Sequence, residues 1–187
     1  MSRNPQRIRA IYVQGVGDGV GTDLLEDLTA PICGVFHVPC WVRDAYFGIS
    51  FAFDAARGQY HSTAILQQLS PLAAGEDEIR LLGITESDLF VPVLTFVFGE
   101  AQLAGRCALV SLHRLREEFY GLPPREELLR ERIIKESVHE LGHTFGLRHC
   151  ADWRCVMAST HAVERLDLKG VVFCEACRRV IARSESG

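Results

Sequence analysis

Apolar positions recur along this chain with two different periods, and their order predicts an α/β fold. Residues 7–13 alternate and are rich in β-formers, and further apolar strand signals cover residues 34–42, 78–85, 92–99 and 107–112. Helical spacing covers residues 22–33, where Leu24, Leu25, Leu28 and Ile32 form one stripe, and residues 60–69. Residues 84–90 and residues 99–105 have the composition of turns and loops.

A long helix is predicted from Pro123 to Gly146. It opens with prolines and acidic residues, as helix N-termini do. An apolar stripe follows at spacings of four, three and four: Ile134, Val138, Leu141 and Phe145. The charged stretch 125–135 is interpreted as a solvated face. Residues 147–187 show little periodicity and predict an irregular lobe held together by metal.

Length and charge narrow the class of protein. A chain of 187 residues with 48% hydrophobic and 24% charged residues is ordinary for one globular domain. We expect a single domain over 1–187, divided into subdomains 1–146 and 147–187. The net charge of −4 argues against nucleic acid or an anionic membrane as partner. No apolar run is long enough to span a bilayer and no signal peptide is evident, so a cytoplasmic monomer is expected.

The stretch HELGHTFGLRHC, residues 139–150, carries the first candidate site. His139 and His143 are four residues apart and project from one helical face, while Glu140 is offset by about 100°. Gly146 can take the left-handed conformation that ends a helix and brings His149 round as a third ligand. This extended pattern arises by chance in roughly one such chain in ten thousand.

These residues predict the chemistry of a hydrolytic zinc site. Three imidazoles leave one position of a tetrahedral zinc open for water, whose pKa the metal lowers. Glu140 then accepts the water's proton while the resulting nucleophile attacks a polarised carbonyl. A structural zinc would need a fourth protein ligand, and the motif supplies none.

Four clustered cysteines predict a second site: Cys150, Cys155, Cys174 and Cys177. Four thiolates close the coordination shell of a structural zinc. Two disulfides or a redox C-x-x-C are the alternatives; the first needs an oxidising compartment, and the second normally opens a helix near a βαβ unit. Because consecutive side chains in extended chain point apart, His149 and Cys150 are assigned to different ions. Cys33, Cys40 and Cys107 are expected to be buried core thiols.

The motif from His139 to Cys177 resembles that of the archaemetzincins, a subfamily of the metzincin metallopeptidases. Residues 57–66, 84–105 and 111–115 are also similar to that subfamily. The resemblance implies a metzincin-like fold: a twisted mixed sheet with an antiparallel edge strand, packed helices and a long active-site helix. It also implies two zinc ions per chain, Glu140 as general base, and Met157 in a turn packed beneath the catalytic histidines.

The resemblance further implies how substrate binds. Residues 92–99 would form the upper edge strand, and an extended peptide would pair with its substrate-binding residues, Thr95, Phe96, Val97, Phe98 and Gly99. The substrate would be a peptide or protein, with aminopeptidase-like cleavage of short peptides. The alternative is a catalytically silent zinc-binding or peptide-binding module on the same scaffold. The histidines without partner spacing, His37, His61, His113 and His161, are expected to be surface or packing residues.

Overall fold

A computed structural model describes residues 8–73 and 78–186, and it confirms a mixed α/β architecture. The strands in these ranges are β1 (Ala10–Gly15), β2 (Cys40–Val42), β3 (Phe53–Asp54), β4 (Gln59–His61), β5 (Ile79–Thr85), β6 (Leu89–Phe90), β7 (Gly99–Ala101) and β8 (Cys107–Ser111). The α-helices are α1 (Thr22–Phe36), α2 (Ser62–Leu69), α3 (Glu126–Thr144), α4 (Val163–Leu168) and α5 (Glu175–Ser186). The strand predicted over 7–13 starts with Arg7, which lies outside the described residues.

The main sheet has five strands in the order β2-β1-β5-β8-β7. The first four are parallel, and β7 pairs antiparallel with β8 at one edge. A small second sheet has the order β3-β4-β6. The predicted mixed sheet with an antiparallel edge strand is therefore confirmed.

Helices cover both faces of the main sheet. The central strands direct apolar side chains alternately to one face and to the other. In β8, Ala108 and Val110 contribute to one core with α1 and α3, while Cys107 and Leu109 contribute to a second core with α2. Each of these four residues is fully buried. Because successive side chains of a strand point to opposite faces, a strand covered on both sides needs an unbroken apolar run.

The strand predicted over 34–42 is wrong in its first half. Helix α1 continues to Phe36, whose buried ring extends the apolar stripe of this helix. It ends at His37, which has a left-handed φ of 57° and donates its backbone N–H to the carbonyl of Cys33. Only Cys40–Val42 pairs with β1. The helix predicted over 60–69 begins at Ser62, since residues 59–61 form β4.

The edge strand predicted over 92–99 is displaced towards the C-terminus. Residues 92–98 form turns with one isolated bridge, between Leu89 and Val97, and the strand starts at Gly99. Val93 is 88% exposed, so the apolar pattern here does not reflect a buried strand face. Of the five residues expected to bind substrate as a strand, only Gly99 lies in one, and the carbonyls of Thr95 and Phe98 already accept hydrogen bonds from Gln59 and Ser111.

The C-terminal segment is less irregular than predicted, and the charged start of α3 is exposed as predicted except at Arg132 and Lys135, which are buried. Helices α4 and α5 lie within 147–187 and pack into the larger core through Leu166 and Ile181. Arg132, although it belongs to the charged stretch of α3, is 3% exposed. It donates to both carboxylate oxygens of Asp167 at 2.8 Å and pairs with Glu117 at 2.7 Å. Among the described helices, none is long and apolar enough to cross a bilayer.

Replacing Arg132 with methionine should lower the free energy of unfolding by about 3 kcal/mol, because Glu117 is left buried without its cation. Arg130→Met is the matched control, since Arg130 pairs with Asp27 on the surface and that pair is worth less than about 1 kcal/mol. Urea unfolding of both variants measures the difference. Equal losses in the two variants would contradict a buried role for Arg132.

Candidate active site

Helix α3 and the turn after it bring three histidines together. His139 and His143 lie one turn apart on α3, and their Nε2 atoms are 3.2 Å apart. Gly146 follows the helix with a φ of 87°, a conformation that side chains rarely adopt, and reverses the chain. His149 then comes alongside, and one ring nitrogen from each of the three histidines lies within 4.8 Å of the others.

Hydrogen bonds orient two of the rings. Nδ1 of His139 is 2.8 Å from the carbonyl oxygen of Val156, and Nδ1 of His143 is 2.8 Å from that of Leu147. Because a carbonyl only accepts, Nδ1 carries the proton in each ring, and the Nε2 lone pair is directed to the centre of the group. Burial lowers the pKa of His139 well below its usual range and lowers those of His143 and His149 as well. All three rings therefore favour the neutral form that binds metals.

The spacing of these nitrogens fits a zinc ion. Tetrahedral zinc with Zn–N distances of about 2.0–2.1 Å separates its nitrogen ligands by about 3.3–3.4 Å. The measured 3.2 Å between His139 and His143 is close to that edge length. The donor set, three neutral imidazoles on a partly buried surface, is one that zinc prefers.

Glu140 lies against the edge strand beside the three histidines. It is 5% exposed, and a Cβ atom on Gly99 would come within 2.6 Å of its Cγ. Glycine at this position of β7 therefore makes room for the glutamate. Burial raises the pKa of the Glu140 carboxyl well above its usual range, and the carboxylate of Glu136 raises it further, while Lys169 opposes both.

Two cavities flank the histidines and form one cleft. The first has a volume of about 330 Å³ and is lined by the 94–99 segment, by α3 and by residues 159–161. The second, of about 390 Å³, is lined by residues of β7 and by Leu103 and Arg148. Gly99, Glu140 and His149 line both. A chain lying across the cleft would thus pass over the histidines with room on either side.

Met157 lies under α3 at the turn where the histidines project. Its side chain is fully buried. A Cβ atom added to Gly142, the residue before His143, would lie 2.5 Å from the Met157 sulphur. The contact depends on glycine at this position of the helix and supports the backbone between the two histidines.

The four clustered cysteines converge on the far side of His149. Their sulphur atoms all lie within 4.8 Å, with Cys150 to Cys174 and Cys155 to Cys177 each at 3.8 Å. Tetrahedral zinc with Zn–S bonds of about 2.3 Å separates its sulphur ligands by about 3.8 Å. Burial raises the pKa values of Cys155 and Cys177, whereas the backbone N–H of Cys177 lowers that of Cys174. Without a cation these shifts favour neutral thiols at Cys155 and Cys177, and four thiolates in so small a volume would require a cation.

The alternatives to a metal fit this geometry poorly. A separation of 3.8 Å is far longer than a disulfide bond of about 2.05 Å. One argument against a redox C-x-x-C was wrong, because the Cys174–Cys177 pair does open a helix, α5. The convergence of all four sulphurs still distinguishes this group from an isolated redox pair. Of the scattered thiols, Cys107 is buried as expected, whereas Cys33 and Cys40 are only half-buried.

Three residues of the site were not found from the sequence. Glu136 lies one turn before Glu140 on the same helical face, and this spacing could have identified it. Lys169, from the loop after α4, brings its ammonium within 3.4 Å of Nδ1 of His139, and no sequence pattern indicates this contact. His161 is exposed, as expected of a surface residue, and it also lines the cleft. His113 instead packs on Phe119.

Comparison with known proteins gives consistent matches. The family model "Peptidase family M54" matches residues 23–183. The archaemetzincin of Methanocaldococcus jannaschii is 42% identical over 170 residues, which cover 91% of each chain. Two crystal structures superpose over 91% of this chain and 99% of their own: a zinc-dependent peptidase from Methanocorpusculum labreanum (TM-score 0.83, 30% identity) and the archaemetzincin of Archaeoglobus fulgidus with malonate (TM-score 0.78, 36% identity).

Replacing Gly142 with alanine should lower the free energy of unfolding by about 1–3 kcal/mol, because the new Cβ overpacks the Met157 sulphur. Gly34→Ala is the matched control: Gly34 lies in α1 with nothing within 4 Å of the position that a Cβ would take, so alanine should stabilise the helix by up to about 1 kcal/mol. Chemical denaturation compares the two. A stabilising effect of both substitutions would exclude the Met157 contact.

Proposed function

The chain belongs to peptidase family M54, the archaemetzincin zinc metallopeptidases, and we propose that it hydrolyses peptide bonds with Glu140 as general base and His139, His143 and His149 as ligands of the catalytic zinc. One observation carries this assignment. A buried carboxylate with a raised pKa lies in the same cleft as three converging neutral imidazoles. Neither group alone would be diagnostic.

Zinc bound by the three histidines would supply the Lewis acidity that lowers the pKa of water and polarises a peptide carbonyl. Glu140 accepts the proton of the attacking water at its carboxylate and later donates it to the leaving amine. The raised pKa of Glu140 suits this double role, because a stronger base takes the proton more readily and an acid of moderate strength can return it. Gly99 keeps the edge strand close enough to hold the carboxylate in the cleft.

The four cysteines, Cys150, Cys155, Cys174 and Cys177, are proposed to hold a second, structural zinc. The two sulphur–sulphur distances of 3.8 Å match the edge length of a zinc tetrahedron and support this role. Such a zinc would tie the segment after His149 to α5, and the catalytic domain would span the whole chain with 147–187 as its metal-stabilised part. This gives two zinc ions per chain.

Short peptides, cleaved in the manner of an aminopeptidase, are the proposed substrates, and the enzyme is proposed to act as a cytoplasmic monomer without nucleic-acid or membrane partners. The modest cleft volumes support a narrow range of substrates. The 94–99 segment would then contact substrate mainly through the side chains that line the cleft. A catalytically silent peptide-binding module is the competing function, and the buried Glu140 argues against it.

Glu140→Gln should reduce kcat by about 10²–10⁴-fold, because the amide cannot accept the proton, while both zinc ions stay bound. Peptide hydrolysis is measured alongside zinc content by elemental analysis. Glu127→Gln, an exposed change on the same helix, is the control and should retain activity. Hydrolysis by Glu140→Gln at the wild-type rate would exclude the mechanism; failure of the wild-type protein to cleave any peptide in a library would favour the silent module.

Cys174→Ser should remove about one equivalent of zinc and lower the melting temperature by at least about 5 °C, because the ligand group then lacks one thiolate. Cys33→Ser, which changes a cysteine outside the group, should do neither. Chelation of the wild-type protein should remove the three-histidine zinc first and stop activity with the fold largely intact. Unchanged zinc content and melting temperature in Cys174→Ser would exclude the four-cysteine site.

A further inference from the structure

The cavity on one side of the histidines combines apolar walls with a buried carboxylate. Phe96 and Phe98 pack edge to face at 5.2 Å on the wall formed by the 94–99 segment. The opposite side is α3, which contributes Glu136 together with His139 and Glu140. The volume of about 330 Å³ is within the range of pockets that bind small ligands. An apolar cavity with a few fixed polar groups is the usual form of a specificity pocket.

Glu136 has hydrogen-bonding capacity that the described residues do not satisfy. The residue is 5% exposed, and its Oε2 atom has no hydrogen-bond donor among the described residues. The ammonium of Lys169 lies 3.7 Å from Oε2, too far for a hydrogen bond, and donates instead to the carbonyl of Ala158 at 3.4 Å. Lys169 therefore balances the charge of Glu136 without donating a hydrogen bond to its buried Oε2 atom. A buried carboxylate in this state is unusual and favours an additional donor.

The carboxylates in the described lining of the cavity are possible partners for a positively charged donor. Two carboxylates, Glu136 and Glu140, belong to the lining, and the described residues of the lining include no lysine or arginine. Glu100 adds a further negative charge close to Glu140. Arg114 stacks on the Phe96 ring at 4.3 Å, but its guanidinium already makes two 2.7 Å bonds to Asp88. Two cations oppose these carboxylates: Lys169, which is buried behind the histidines, and the zinc ion proposed above at the histidines.

We propose that this cavity is a subsite for a cationic group of the substrate, with Glu136 as the specificity-determining residue. The group is either the side chain of a lysine or arginine next to the scissile bond or the α-ammonium of the substrate. Its aliphatic part contacts Phe96 and Phe98, and its N–H groups donate to the Glu136 carboxylate. The assignment rests on the peptidase function proposed above and names the substrate class that this site prefers.

Matched peptides test the preference in the zinc-loaded wild-type protein. A peptide found by library screening is varied on either side of its cleaved bond, with lysine against norleucine and arginine against citrulline. Its N-terminus is either free or acetylated. A cationic substrate should show kcat/KM at least about tenfold above its neutral match. Dependence on the side chain or on the free N-terminus identifies which cation is bound. Equal rates for every matched pair would overturn the proposal.

The role of Glu136 is tested by the selectivity ratio. In Glu136→Gln the ratio of cationic to neutral kcat/KM should fall to near one. Because that change leaves Lys169 buried beside an amide, the double variant Glu136→Gln/Lys169→Met, which removes both charges, should also lose the preference if it folds. Glu127→Gln is the control and should keep the wild-type ratio. A ratio that survives in Glu136→Gln would exclude this residue.

A binding measurement separates failure of the subsite from failure of the peptidase function. Chemical-shift changes in the wild-type protein compare n-butylguanidinium with neutral n-butylurea, and glycinamide with N-acetylglycinamide. At least one cation should bind about fivefold more tightly than its neutral match, and Glu136→Gln should abolish the difference. Such binding without cleavage of any peptide would keep the subsite and remove the peptidase function. Peptide cleavage without a preference for a cation in either pair of ligands would keep the peptidase function and remove the subsite.

Discussion

The left-handed turn at Gly146 is the constraint on which the candidate site depends. It follows the end of α3 at Thr144 and turns the chain so that His149 joins the two helical histidines. The turn is held in place from both sides, because the carbonyl of His143 accepts hydrogen bonds from Gly146 and from Ala104 in the loop before β8. The carbonyl of Leu147 then fixes the His143 ring. One backbone conformation thus sets the helix end, the third histidine and the orientation of the second.

Buried charge on α3 links the site to the rest of the molecule. Arg132 pairs with Asp167 at the end of α4, and the ammonium of Lys135 donates to the carbonyls of Leu166 and Asp167. Lys169, two residues later, reaches the back of His139. The helix therefore has a third face besides its apolar and its solvated ones. Its buried charged residues, Arg132 and Lys135, contact the C-terminal segment, whereas its apolar residues pack on the sheet, and both contacts fix the direction in which the histidines point.

Local patterns predicted the parts of the structure that depend on nearby residues. The spacing of His139, His143, Gly146 and His149 identified a group that the structure brings together, and the apolar runs of β5 and β8 identified buried strands. The displaced edge strand was missed because the apolar residues of the 92–98 stretch contribute to the wall of the cleft and not to the face of a sheet. Lys169 was missed because its contact spans thirty residues of sequence. The short helix α4, six residues long, lacks a capping side chain that would mark it.

The peptide bond between His149 and Cys150 joins two groups of ligands that face different centres. If both centres hold zinc, a shift of either residue is transmitted to the other through two backbone torsions. Thermodynamic linkage then requires reciprocity. If zinc in the four-cysteine group tightens zinc binding at the histidines by some factor, zinc at the histidines must tighten binding at the cysteines by the same factor. If that factor differs from one, the two groups would fill cooperatively, and neither affinity would be a property of its own ligands alone.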